Sequence, residues 1–368
     1  MPDSTILNSS AGIRRIDKSN MLSFCVDTYR HYDKAVRLAD TVSIGYRRPR
    51  VIIVAGMGGS AIGGDLMKDW SRDRLAVPIE VCREYSLPKY ANEDTLVLVV
   101  SYSGETEESL SVFLDAIKRK CMIACVSSGG KLNEFAEKLE LPSLRVPSGM
   151  PPRASLPYLF VPLIVFLKKL GLASNVDSEI SESIKILKQI SDENSPEKPL
   201  EASFSKALAS NIIATVPIVY GFGAYRAVAQ RLKTQFNENS KVPAKWEFFP
   251  ELDHNEIVGW EEAGKLAKCF SVILLRDESE AKVIGHRIEA TKDLMREGSL
   301  KLFEVWSKGH STLAKMASLI NVGDFTSVYL AVLRGVDPTP VKTISLLKEK
   351  LKQSGLKEKV VRELEELT

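Results

Sequence analysis

Histidine and cysteine are scarce in this chain, which has four of the first and five of the second in 368 residues. No His/Cys/Asp cluster has metal-ligand spacing and no HEXXH occurs, so metal-dependent chemistry is not expected. Cys25, Cys82, Cys121, Cys125 and Cys269 are an odd, scattered set, which suits reduced thiols rather than a disulfide framework. Cys121 and Cys125 alone make no metal site. Charge of one sign is also missing: 50 Lys and Arg face 47 Asp and Glu without a basic block, so nucleic acid is not implied. The start, MPDSTILNSSAGIRRID, has no apolar signal core, and no window approaches about 18 uninterrupted apolar residues. The expectation is a soluble cytoplasmic protein without a membrane partner. The glycine-rich stretch GMGGSAIGGD is followed by no Gly-Lys-Ser, which excludes a P-loop, and it lacks the partner acid of a dinucleotide fingerprint.

What is present is a core and an alternation. With 44% hydrophobic residues the chain can bury about two domains. Residues 20–44 carry apolar positions at helical spacing and read as one amphipathic helix within an N-terminal segment, 1–47. VIIVAG, PIEVC, TLVLVVS, MIACVSS and LPSLRV are short apolar runs with room for helices between them, giving an α/β domain with a mainly parallel sheet over 48–170. DSEISESIKILKQISDENSPEKPLEAS reads as a connecting helix and solvated turn, 171–202. Four further runs, VPIVYGF, KWEFF, FSVILLRD and KLFEVWS, repeat the alternation over 203–335. VIIVAGMGGSAIGGDL and VPIVYGFGAYRAVAQRL both set a glycine turn between strand and helix, so the halves look related. A charged helical tail, 336–368, starts with two prolines.

Two loops could hold an anion. In GMGGS the backbone N–H groups around Gly58, Gly59 and Ser60 can turn toward one point before a helix start; a tight βα turn is the plain alternative. In SYSGET, Ser101, Ser103 and Thr106 offer three neutral donors for a phosphate monoester at another helix start. An ordinary helix cap would need only one of them.

G-x-G-G-S-A-I-G-G-D, followed by S-Y-S-G-E-T-E-E-S, resembles the sugar isomerase (SIS) domain. NENSKVPAKWEFFPELDHNEIVGW, the GHSTLAK to DPTPV stretch and ISLLKEKL narrow the resemblance to the bifunctional phosphoglucose/phosphomannose isomerase family over residues 20 to 352. It implies two SIS subdomains, each a mainly parallel sheet flanked by helices, in a homodimer with active sites near the interface. It also implies interconversion of glucose 6-phosphate and mannose 6-phosphate with fructose 6-phosphate, without a cofactor. Carried onto this sequence, Glu238 is the proton-transferring base, His254 assists ring opening and Arg153 stands in the active site. Lys348 is the substrate-contacting lysine, with Lys342 as the competitor. Read without the family, Glu238 is a solvated loop carboxylate, His254 a surface histidine, Arg153 a helix-start surface arginine and both lysines solvated helix residues. His310 reads as part of a helix cap in HST, and His31 and His286 show no partner. A non-catalytic phosphosugar-binding SIS regulator is the rival reading; no DNA-binding appendage accompanies it here. An aminosugar synthase would need a glutaminase domain that this sequence does not contain.

Overall fold

The computed structural model describes residues 4–297 and 300–367. Two short helices, α1 (Ser10–Ile16) and α2 (Met21–Val26), lead into α3 (Thr28–Asp40). The single helix expected over 20–44 is thus broken at Asp27. There Thr28 Oγ1 donates to the Phe24 carbonyl at 2.7 Å, taking the acceptor that a continuing helix would use. The first alternation follows: β1 (Val51–Ala55), α4 (Ile62–Ser71), β2 (Ile79–Cys82), β3 (Thr95–Val100), α5 (Glu107–Lys118), β4 (Met122–Ser127), α6 (Gly130–Lys138), β5 (Ser143–Arg145) and α7 (Leu156–Lys169). After α8 (Val176–Asn194) and α9 (Phe204–Ile212) comes the second: β6 (Val216–Phe222), α10 (Arg226–Glu238), β7 (Lys245–Phe249), β8 (Phe270–Arg276), α11 (Lys282–Glu297), β9 (Lys301–Trp306) and α12 (Thr312–Leu333). Helices α13 (Lys342–Leu351) and α14 (Leu356–Glu365) close the chain.

The strands form two sheets, β2-β1-β3-β4-β5 and β7-β6-β8-β9, parallel at every pairing. All nine apolar runs read from the sequence are these strands. The chain divides into two compact units, Arg30–Asp177 with Val341–Thr368 around the first sheet, and Met1–Tyr29 with Ser178–Pro340 around the second.

In the first unit every residue of β3 and β4 is buried, as expected of parallel strands covered on both faces. Val97, Val99, Phe113 and Phe135 form the center of one core cluster, and α14 returns to it through Val360 and Leu364. In the second unit α12 is long and apolar enough to cross a membrane, but 94% of its apolar window is buried among the helices and sheet around it. Its amphipathic signal is absent because it is a core helix on all sides. Buried Lys206 holds the N-terminal segment by donating to the carbonyls of Leu7 (2.7 Å), Pro196 (2.9 Å) and Lys198 (2.5 Å); burial pushes its ammonium down to about 8.

Candidate active site

In the first unit the two suspected anion loops leave adjacent strands at their C-terminal ends, the position where parallel α/β sheets bind ligands. They are bonded to each other: Ser60 Oγ, 7% exposed, accepts the Tyr102 N–H at 3.1 Å. Buried Ser101 donates to Thr106 Oγ1 at 3.1 Å, and Ser103 Oγ accepts the Glu105 N–H at 3.2 Å. Thr106 is the N-cap residue of α5 but makes no side-chain capping bond. The plain reading of these hydroxyls as one helix cap is therefore not what the loop does. They are gathered instead at the start of a helix whose first turn carries the positive end of the dipole.

Arg153 joins this group through the backbone. It lies in the 3₁₀ turn Pro152–Ala154, which Ser155 Oγ closes by donating to the Pro152 carbonyl at 2.7 Å. The turn stacks on the first loop so closely that a Cβ on Gly59 would stand 3.0 Å from the Pro152 oxygen and 3.3 Å from the Arg153 nitrogen. Arg153 is 2% exposed, so it is not a surface arginine. Tyr102 makes the third connection, donating its hydroxyl to the Pro147 carbonyl at 3.0 Å and accepting the Met150 N–H at 2.9 Å. Gly58, Gly59, Ser60, Ser101, Ser103, Thr106 and the backbone of Arg153 thus belong to one stitched loop cluster.

Two supports of this cluster were invisible in the sequence. Glu105 Oε1 accepts the Lys131 N–H at the start of α6 at 2.9 Å, and its other oxygen pairs with Lys357 of α14. Nothing in the spacing announces a partner 252 residues away. Lys118 and Glu363 repeat the tie at 2.5 Å. Lys348 and Lys342 lie on α13, which has no buried residue, and neither makes an ion pair or hydrogen bond among the described residues. His31, expected without a partner, has one: its Nδ1 is 2.9 Å from the Tyr158 hydroxyl, a contact between α3 and α7 that neither segment signals.

In the second unit Glu238 is the last residue of α10 and is partly buried. The helix is fixed to α12 by the buried Arg231–Asp324 pair at 2.8 Å and by Gln235 Nε2, which donates to Asp324 at 2.8 Å. Beyond Glu238 every polar neighbor is held. Asn239 Nδ2 donates to Ser327 Oγ at 2.9 Å, Ser240 Oγ to the Ser327 carbonyl at 2.6 Å, and Lys241 Nζ to the carbonyls of Glu238 and, at 3.0 Å, Pro338. Glu238 is thus a partly buried helix-end residue rather than a loop residue.

His254 is exposed and ends the 3₁₀ turn Glu251–His254 after β7. Asp253 pins that turn to α11, accepting Thr291 Oγ1 at 2.9 Å and Arg287 Nη1 at 3.1 Å. Glu256, which follows, pairs with Lys245 at 3.2 Å and accepts the Tyr220 hydroxyl at 3.2 Å. Strand alternation then separates the two candidates. Phe248 faces α10, with the Arg226 guanidinium 3.9 Å from its ring center. Phe249 and Tyr220 face the other way and pack with Leu252 and, on α11, Ile288. Glu238 ends a helix on one face of the second sheet, and His254 sits in a turn on the opposite face. His310 lies where HST reads as a cap: Ser311 Oγ accepts the Ala314 N–H at 3.3 Å and caps α12.

Among known proteins, a bifunctional phosphoglucose/phosphomannose isomerase of Caldicellulosiruptor bescii is 41% identical over 321 residues, covering 86% of this chain and 95% of its own. The chain belongs to that family. A second member of the bifunctional isomerase family, from Aquifex aeolicus, is 35% identical over 82% of this chain and 90% of its own. The family model of the bacterial phospho-glucose isomerase C-terminal SIS domain matches residues 201–351, which hold Glu238, His254 and the whole second sheet. Among solved structures, a hypothetical protein of Thermus thermophilus superposes with a TM-score of 0.75 at 16% identity, covering 94% of each chain; it attests the fold.

Proposed function

We propose that this chain is a bifunctional isomerase that interconverts glucose 6-phosphate and mannose 6-phosphate with fructose 6-phosphate in the cytoplasm, without a metal or cofactor. The observation that carries this reading is the stitched hydroxyl cluster of Ser60, Ser101, Ser103 and Thr106 in a chain of this family. Neutral hydroxyls and helix-start amides suit a phosphate dianion, and anchoring it positions the distant reacting carbons. In the reaction His254 moves a proton from the anomeric hydroxyl to the ring oxygen and opens the sugar. Glu238 removes the C2 proton of the aldose and returns it to C1, while a hydroxyl proton passes between the two oxygens. Arg153 stabilizes the charge of the cis-enediolate in between. Either epimer reaches the same enediolate, which is why one base serves both. Lys348 is the substrate-contacting lysine, with Lys342 as the competitor.

The placement of Glu238 and His254 on opposite faces of one sheet supports a homodimer in which a chain lends His254 to its partner's substrate. Mixed and re-annealed Glu238→Gln and His254→Ala proteins, each inactive alone, are then expected to recover activity toward one quarter of the parent's, from heterodimers with one intact site. Recovery of nothing would assign both residues to one chain's site.

The direct test is a coupled assay for fructose 6-phosphate made from glucose 6-phosphate, and separately from mannose 6-phosphate, with EDTA present throughout. Turnover of both is expected. Binding of both sugars without turnover of either would make the protein a sensor.

A further inference from the structure

The second sheet repeats the strand order of the first, β7-β6-β8-β9 against β2-β1-β3-β4. The loops after β6 and β8 are therefore the counterparts of the GMGGS and SYSGET loops. The correspondence reaches single residues. Ser60 is the fourth residue after Gly56, and Tyr225 is the fourth after Gly221. Ser101 and Ser103 stand first and third after β3; Asp277 and Ser279 stand first and third after β8. Where the first sheet gathers hydroxyls, the second gathers them around a carboxylate.

That carboxylate is saturated with donors. Asp277 Oδ2 accepts the Tyr225 hydroxyl at 2.6 Å, and Oδ1 accepts the Ser279 N–H at 2.9 Å and its hydroxyl at 3.0 Å. Lys315 Nζ, reaching from α12, lies 3.0 Å and 3.1 Å from the two oxygens and also donates to Ser279 Oγ at 2.5 Å. Ser307 Oγ stands 3.5 Å from the Tyr225 hydroxyl. The nearby Arg276 guanidinium is engaged by Glu280 at 2.5 Å, Glu289 at 2.7 Å and Glu304, so Lys315 is the counter-ion of Asp277. Burial pushes the Asp277 carboxyl up, yet the donors of Tyr225, Ser279 and Lys315 outweigh it and hold the group below its usual range.

We infer that Asp277 is a built-in anion occupying the second sheet's counterpart of the phosphate cradle, so that this half of the chain is closed to hexose phosphates. The ligand class it excludes is a tetrahedral oxyanion, which needs the same phenol, hydroxyls, amide and ammonium. A phosphate cradle in the first sheet is the reading given above, and the counterpart argument rests on it. Ser279 is exposed, which leaves the position reachable from solvent once the carboxylate is gone.

The test is Asp277→Ser in the full chain, which installs the first sheet's residue, with inorganic phosphate as the probe. The variant is expected to bind one more phosphate per chain than the parent by calorimetry. Its melting temperature should fall in chloride and recover in phosphate at matched ionic strength. Adding Lys315→Met should abolish the extra phosphate. Equal stoichiometry in variant and parent, an extra phosphate that survives Lys315→Met, or a variant equally unfolded in both buffers would each overturn the proposal, leaving Asp277 an ordinary link between α12 and the β8 loop. The result is read as an increment over the parent. It therefore stands apart from the coupled assay, where failure would strike the isomerase reading alone.

Discussion

Glu238→Gln is expected to lower turnover of both hexose 6-phosphates by a factor on the order of 10³, the usual range for losing a positioned base, with KM little changed. Glutamine keeps the shape and hydrogen-bonding reach of the side chain but takes no proton from C2. The frame around the residue supports a clean result. Asn239, Ser240 and Lys241 are fixed by Ser327 and Pro338, and the helix by Arg231 and Asp324; none of these bonds uses the Glu238 carboxylate. The melting temperature of the variant, read beside the parent's, separates loss of the base from loss of the fold. Exchange of the C2 proton with solvent, followed by NMR on mannose 6-phosphate, checks the step itself: it should vanish with turnover. A variant retaining exchange and turnover would remove Glu238 from the role and leave the base to be found elsewhere.

The second large effect is expected from one methyl group. Gly104 sits in the middle of SYSGET at φ +66°, and a Cβ there would meet the Gly129 carbonyl oxygen at 1.8 Å and Gly130 Cα at 3.2 Å. All of these neighbors are backbone, so nothing flexible can yield. The left-handed conformation costs an alanine about 1–2 kcal/mol by itself, and the collision adds displacement of the whole loop against α6. Gly104→Ala should destabilize by about 4 kcal/mol or more, a size that single substitutions reach only through such defined defects. That corresponds to a melting temperature lower by roughly 10 °C. Because Ser103 and Thr106 move with the loop, KM for either sugar phosphate should rise by about tenfold or more, the value of one lost charge-assisted hydrogen bond. Gly58→Ala is the control. It also has a positive φ, +51°, but nothing lies within 4 Å of the added Cβ, so only the conformational cost of about 1 kcal/mol is expected. Equal melting temperatures for the two variants would show that the contact between the SYSGET loop and Gly129 carries no weight.

The contrast between these glycines illustrates what a sequence can and cannot say. Both stand in glycine-containing turns after apolar strands, and both read alike as turn residues. Only the fold shows that one faces open space and the other the start of α6.

By itself the sequence determined the local elements and the chemistry they offer. Nine apolar runs became nine strands because runs of β-branched residues bounded by turn signals admit little else, and the two strand-glycine-helix units announced two related halves. The gathering of Ser101, Ser103 and Thr106 at a strand end was equally local, and so it was legible. Tertiary structure alone decided everything that depends on residues distant in the chain. Arg153 is buried in a turn that stacks on Gly59, and His31 is bonded because α7 brings Tyr158 to it. Glu105 is anchored by Lys357 because α14 folds back onto the first core. Glu238 and His254, sixteen residues apart, are parted by a sheet because strand alternation puts Phe248 and Phe249 on opposite faces. Asp277 reads as a loop acid in the sequence, and becomes the occupant of a cradle only when Tyr225 and Lys315 close around it. Periodicity encodes which face of an element is apolar; which other element that face will meet is settled only when the whole chain packs.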